Sequence, residues 1–185
     1  DLVGGGGTNT TGYYADLSPA TCHTYNTLAI DHVRDQLIRG CAHATAGEAG
    51  GVFGNCDAYS FTDNAWQQKA ASPAVSGNAE AYAAFAVCDA VGNYWMFYAG
   101  LAPISKYDPA LNVWTRYGSG YNYNNGAYCT AAYDSLRNRI VVIGGGHFTK
   151  VELSDPATTV AVGGAPTAAV LNAQAPGWVY DKIGD

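Results

Sequence analysis

The chain has 185 residues, a length that suits one domain or one large all-β unit. Charged residues are only 13%, aromatics are 12% with 14 Tyr, and there are 23 Gly, the composition of a turn-rich β protein and not of a helical or disordered one. A net charge of −6 without any Lys/Arg cluster leaves nothing to neutralise phosphates and excludes nucleic acid as a partner; no apolar run approaches the ~18 residues of a spanning helix, so no membrane span is expected.

Taken in chain order, Asp1–Gly7 reads DLVGGGG, the tail of an apolar strand closing on glycine. Asn9-Thr10-Thr11 is a glycosylation sequon. With few Lys, one Met and many Tyr, Gly and Asn, it points to an extracellular or periplasmic protein. Cys22-His23 opens an innermost strand, eight residues before Asp31. Cys41 and Cys56 bracket a Gly-rich loop, AHATAGEAGGVFGN, and a disulfide across its base is expected. Cys22, Cys88 and Cys129 are expected as buried apolar thiols. Ala58–Phe61, a Thr62-Asp63-Asn64 turn and Trp66 then form a hairpin.

The next stretch repeats the first. AIDHVRDQLI at 29–38, VCDAVGNYWMFYAG at 87–100, AAYDSLRNRIVVIGGG at 131–146 and WVYDKIGD at 178–185 share one pattern: small or apolar residues, an Asp, a turn, then a β-rich run. The Asp falls at 31, 89, 134 and 181, spacings of 58, 45 and 47, and periods of this size mark repeat architectures. An Asp in every copy is a turn former, not a catalytic group. The second copy continues with a strand at Pro103–Tyr107, a turn at Asp108–Asn112 and a strand at Val113–Tyr117. Trp114 is expected to pack between neighbouring units, with Trp66 at the equivalent place. In the third copy Thr130–Tyr133 is an inner strand, Asp134–Asn138 a turn, and Arg139–Ile143 a β-branched strand of the kind buried on both faces, ended by Gly144-Gly145-Gly146.

This order of inner strand, Asp turn, apolar strand ending in Gly-Gly, and Tyr-Asp…Trp resembles the kelch motif of β-propellers. SPATCHTYNTL at 18–28 and SKYDPALNVWTRYG at 105–118 are similar to kelch proteins of the galactose-oxidase-like superfamily, many of them secreted bacterial proteins of unassigned function. The resemblance implies an all-β propeller of four-stranded antiparallel blades with almost no helix. Residues 1–185 form a single propeller unit in this reading, with blades at about 22–72, 80–120 and 127–165 and partial blade strands at 176–185 and 1–8. Either the two ends close one blade together, or another segment or another chain completes the propeller. The second alternative is favoured, since sequences of this family run on after such a strand.

The candidate site residues are those that depart from the repeat. In galactose oxidase and its relatives a Tyr-His pair at the position of Cys22-His23 supplies two copper ligands; here the His is kept and the Tyr is not. The more ordinary role for His23 is a hydrogen bond to a neighbouring blade. The stretch Tyr117–Tyr128, YGSGYNYNNGAY, is a loop near one mouth of the channel. Its Tyr121, Tyr123, Asn124 and Tyr128 suit carbohydrate, with rings for sugar faces and amides for hydroxyls. His147 follows three glycines that would let a ligand approach the backbone, although a solvated turn histidine is the ordinary expectation. No two His share a short metal-ligand spacing, GxSxG is absent, and neither Gly run carries the Lys-Ser/Thr of a phosphate loop.

Two functions follow as expectations. The first is a non-enzymatic propeller that binds glycan or protein through loops at one face and needs no cofactor. The alternative is a secreted galactose-oxidase-like enzyme with a metal site, copper, near His23.

Overall fold

The computed structural model describes residues 13, 18–19, 26–40, 55–72, 84–98, 100–101, 103–118, 121–123, 128–164, 168–173, 179–181 and 183. These form three four-stranded antiparallel sheets, a two-stranded ribbon and one short helix. The first sheet is β1 (Leu28–Asp31), β2 (Gln36–Gly40), β3 (Cys56–Ser60) and β4 (Ala65–Lys69). The second is β5 (Phe85–Cys88), β6 (Tyr94–Phe97), β8 (Ile104–Asp108) and β9 (Val113–Tyr117). The third is β11 (Cys129–Asp134), β12 (Arg139–Gly144), β13 (His147–Glu152) and β14 (Thr159–Ala161). Each sheet is a meander in which chain order is spatial order. The ribbon pairs β7 (Gly100–Leu101) with β10 (Asn122–Tyr123), and α1 (Ala168–Leu171) lies against β12.

The repeated Asp makes the first turn of every sheet. Asp31 Oδ1 accepts from the Val33 and Arg34 N–H groups, while Oδ2 takes the Arg34 guanidinium at 3.1 Å and the Gln36 amide at 2.9 Å. Asp89 holds the Val91 and Asn93 N–H groups, the Asn93 amide and the Trp95 indole. Asp134 takes the Arg137 N–H and both the Arg137 and Arg139 guanidiniums. At 181 the same bond recurs, from the Ile183 N–H to Asp181 Oδ1 at 2.9 Å. A carboxylate that collects turn N–H groups replaces water lost on folding, which is why Asp is needed here and Glu would overreach.

A second rule, unread in the sequence, governs four of the turns. Asp35, Asn64, Asn112 and Asn138 each sit at φ between 49° and 54° as the last residue of a four-residue turn. Asn and Asp tolerate this left-handed conformation better than other side chains. Three of them are clamped by a Tyr five residues earlier: Tyr59 on Asn64, Tyr107 on Asn112 at 2.8 Å and Tyr133 on Asn138 at 2.9 Å.

Packing stacks the sheets face to face. Along β5 and β6 alternate residues go to opposite neighbours: Ala86, Tyr94 and Met96 meet Ile38 and Ala58 of the first sheet, whereas Phe85, Trp95 and Phe97 meet Ile140, Val142 and Val151 of the third. The unbroken apolar run YWMFY is therefore a strand buried on both faces. Trp114 packs edge-on to Tyr94 and donates its indole N–H to Ala70 O at 2.8 Å, so it does bridge two sheets. Trp66 stands opposite Tyr59 as Trp114 stands opposite Tyr107, the equivalence expected from sequence. The first strands of the three sheets lie together, β5 between β1 and β11. Asn26 joins all three: it makes a parallel bridge to Phe85, its carbonyl accepts from Ala86 N–H at 2.8 Å, and its amide donates to Cys129 O at 2.6 Å.

Candidate functional site

Three of the sequence-selected residues, Tyr121, Tyr123 and His147, come together where β10 meets the β12–β13 hairpin. The hairpin is tight because Gly145 and Gly146, at φ 58° and 85°, form its two-residue turn, and positive φ at both centres is what such a turn demands. Gly144 lies against the Tyr128 carbonyl so closely that no Cβ fits. The triple glycine thus serves the turn and the approach of the chain's own backbone. The turn is tied down by the Gly146 N–H donating to Leu171 O at 2.9 Å.

His147, the first residue of β13, is consequently not a solvated turn residue. Its ring meets Tyr121 at 5.5 Å and Tyr123 at 5.3 Å, both nearly perpendicular. Its Nε2 is shut off from solvent and, among the described residues, has no hydrogen-bond partner. Burial lowers its pKa below the ordinary imidazole value.

Tyr123 is only 1% exposed. Its ring packs against Phe85 and Phe97, and its hydroxyl shares a hydrogen bond with Thr149 Oγ1 at 3.0 Å. Burial raises its phenol pKa, so it stays a neutral core group. It can support a ligand site but has no open face to stack on a sugar. Tyr121 is half-buried and lies over Tyr123 at 4.8 Å. Tyr128, 39% exposed, sits beside the hairpin through its backbone. His23 and Asn124 fall outside the described residues, as does Cys41 and with it the expected Cys41–Cys56 pairing.

Two cavities also open among the described residues. One, of about 800 Å³, runs among the first strands and is lined by Leu28, Ile30, Ala86, Cys88, Thr130 and Tyr180, among others. Cys88 has its thiol pKa raised by burial, then by the nearby carboxylates of Asp31 and Asp89; it carries no thiolate at neutral pH and is a poor nucleophile. The other cavity, about 590 Å³, lies on the outer face of the third sheet over Val141, Phe148, Lys150 and Ala161. Among the described residues no group of three or more His, Cys, Asp or Glu is placed to hold a metal.

Sequence reasoning missed Asn26 and the His147 packing. Asn26 lay within the quoted SPATCHTYNTL phrase, yet nothing local marks an amide whose partner is 103 residues away. The Tyr-x4-Asn spacing was visible three times and would have announced the clamped turns. Compared with known proteins, the chain matches no family model, and no curated protein matches it.

Proposed function

We propose that the chain is part of a kelch-type β-propeller acting as a non-enzymatic binding module, and that it takes a glycan at the Tyr121–His147 edge in an extracellular or periplasmic setting. Three successive four-stranded meanders with their first strands together support the propeller reading. So do the face-to-face stacking, which a radial repeat requires, and the Asp turn shared by the three sheets, which marks them as copies of one unit.

The observation that carries the site is the trio itself. Tyr121 is held over a fixed aromatic base, Tyr123, beside an imidazole whose buried Nε2 has no hydrogen-bond partner among the described residues. A half-exposed ring offers its face to sugar C–H groups, and neighbouring amides and hydroxyls reach sugar hydroxyls. Tyr128, at the adjacent hairpin end, extends the same rim.

A glycan array probed with the full chain, followed by calorimetry on any hit, tests this. Tyr121→Ala should weaken binding roughly tenfold, a single stacked ring's share of affinity, with the fold unchanged by circular dichroism. Binding that ignores Tyr121→Ala overturns the site, and a blank array overturns the glycan. A blank array together with a saturable protein ligand sensitive to Tyr121→Ala would transfer the site to protein recognition.

A further inference from the structure

We propose that His147 gates this rim by protonation: the neutral imidazole holds Tyr121 against Tyr123, and the imidazolium releases it, so that binding is lost on acidification. The consequence for binding rests on the glycan reading; the gate itself rests on packing alone.

The groups around the imidazole decide the sign. From β10 and the residue before it, Tyr123 and Tyr121 face the ring. From its own hairpin the register partner is Gly144 and the turn is Gly145-Gly146. Near Gly146 stand Leu171 of α1 and Asn172, neither of them titratable. Among the described residues no carboxylate and no cation makes an ion pair or hydrogen bond with His147. An imidazolium carries a proton on both nitrogens, so Nε2–H would be a charged donor, shut off from water and, among the described residues, with no acceptor bonded to it. That is the costly case for a buried polar group. The tyrosine faces attract a cation and offset part of this, but burial sets the net direction, which is downward.

The three rings are not equally free to yield. Tyr123 is pinned by Phe85, Phe97 and Thr149. Tyr121 is the half-buried outer member. A charged His147 seeking water therefore displaces Tyr121, the same ring that the glycan reading uses. Proton uptake and ligand binding then compete, and linkage makes the competition reciprocal.

The test is a pH titration of the full chain by NMR, following the His147 imidazole and the Tyr121 and Tyr123 ring signals from about pH 8 to about pH 4.5. His147 should titrate below the roughly 6.5 of a free imidazole. The Tyr121 signals should move with the same midpoint while those of Tyr123 stay. In His147→Gln, which does not titrate, the Tyr121 step should vanish; His147→Phe serves the same purpose should the amide variant not fold. Glycan affinity of the unaltered chain should fall by up to tenfold per pH unit below that midpoint, and the variants should show no such slope. A midpoint at or above about 6.5, or Tyr121 signals that ignore the His147 midpoint, overturns the gate. Coupled His147 and Tyr121 signals in a chain that binds no glycan at any pH would leave the gate standing and remove the binding reading.

Discussion

Single side chains hold this protein's turns, and their costs can be ranked. Asn112 has φ near 54°, and its Oδ1 accepts from both the Tyr107 hydroxyl and the Ala70 N–H, each at 2.8 Å. Asn112→Ala removes both acceptors and puts a β-carbon-bearing residue without a compensating bond at positive φ. We expect a loss of about 2–3 kcal/mol. Asn138→Ala loses a single Tyr clamp and should cost about half as much. Urea denaturation of both variants checks the order, and equal losses would refute it. Asp134 adds a pH term. Burial works to raise its pKa, but hydrogen bonds from the Arg137 N–H, from Tyr180, and from the Arg137 and Arg139 guanidiniums outweigh it and leave the pKa lowered. A carboxylate with a depressed folded pKa contributes stability above its unfolded value of about 4 and loses it as pH falls through the folded value. Asp134→Asn should therefore flatten the acid limb of the stability curve below about pH 4. An acid limb unchanged from that of the unaltered chain would remove Asp134 from the account.

At the scale of strands, burial on one face or two predicts different mutational periods. Tyr94, Trp95, Met96 and Phe97 of β6 are all at most 3% exposed. Truncating consecutive residues to Ala there should cost about 3–5 kcal/mol each, without alternation, because both faces are packed. In β12, against the expectation of a strand buried on both faces, Arg139 and Val141 are only partly covered because their face borders a cavity. Val142 is fully buried against the second sheet, while Val141 looks into the 590 Å³ cavity on the outer face. Val142→Ala should cost about 1–3 kcal/mol and Val141→Ala clearly less. Thermal unfolding of the pair measures the difference, and equal costs would mean that the outer face is covered in solution. The strand run was legible in the sequence, since Arg139–Ile143 is β-branched and bounded by an Asp turn and glycines. Which of its residues meets a neighbour was not, because alternation is visible only once the facing sheet is known.

Across the whole molecule, polar groups tie parts of the chain that are far apart in sequence. Asn26 links the first strands of all three sheets through one carbonyl and one amide. Asn26→Asp keeps the size but replaces the donor to Cys129 O by an acceptor, so two oxygens face each other. We expect about 2–4 kcal/mol of destabilisation in thermal unfolding, against little for a surface Asn. A loss under about 0.5 kcal/mol would remove Asn26 from this role. The outer face of the first sheet carries an Arg39–Asp57 ion pair at 2.7 Å, 7% and 1% exposed, capped by the Tyr13 hydroxyl on Asp57 at 2.8 Å. Such a pair is better read as a specifier of arrangement than as net stability.

The sequence by itself determined the all-β character, the Asp turns, the apolar strands and the paired Trp positions. Each of these rests on local chemistry: a short carboxylate reaching nearby N–H groups, β-branched residues avoiding helix, glycines accepting positive φ. Only the tertiary structure decided that Tyr123 belongs to the core and that the His147 ring meets two tyrosines with its Nε2 buried. It alone placed Asn26 at the junction of three strands. Burial and partnership are properties of residues far apart in the chain, and no local pattern encodes which ring, amide or imidazole will lose its water when the sheets close on one another.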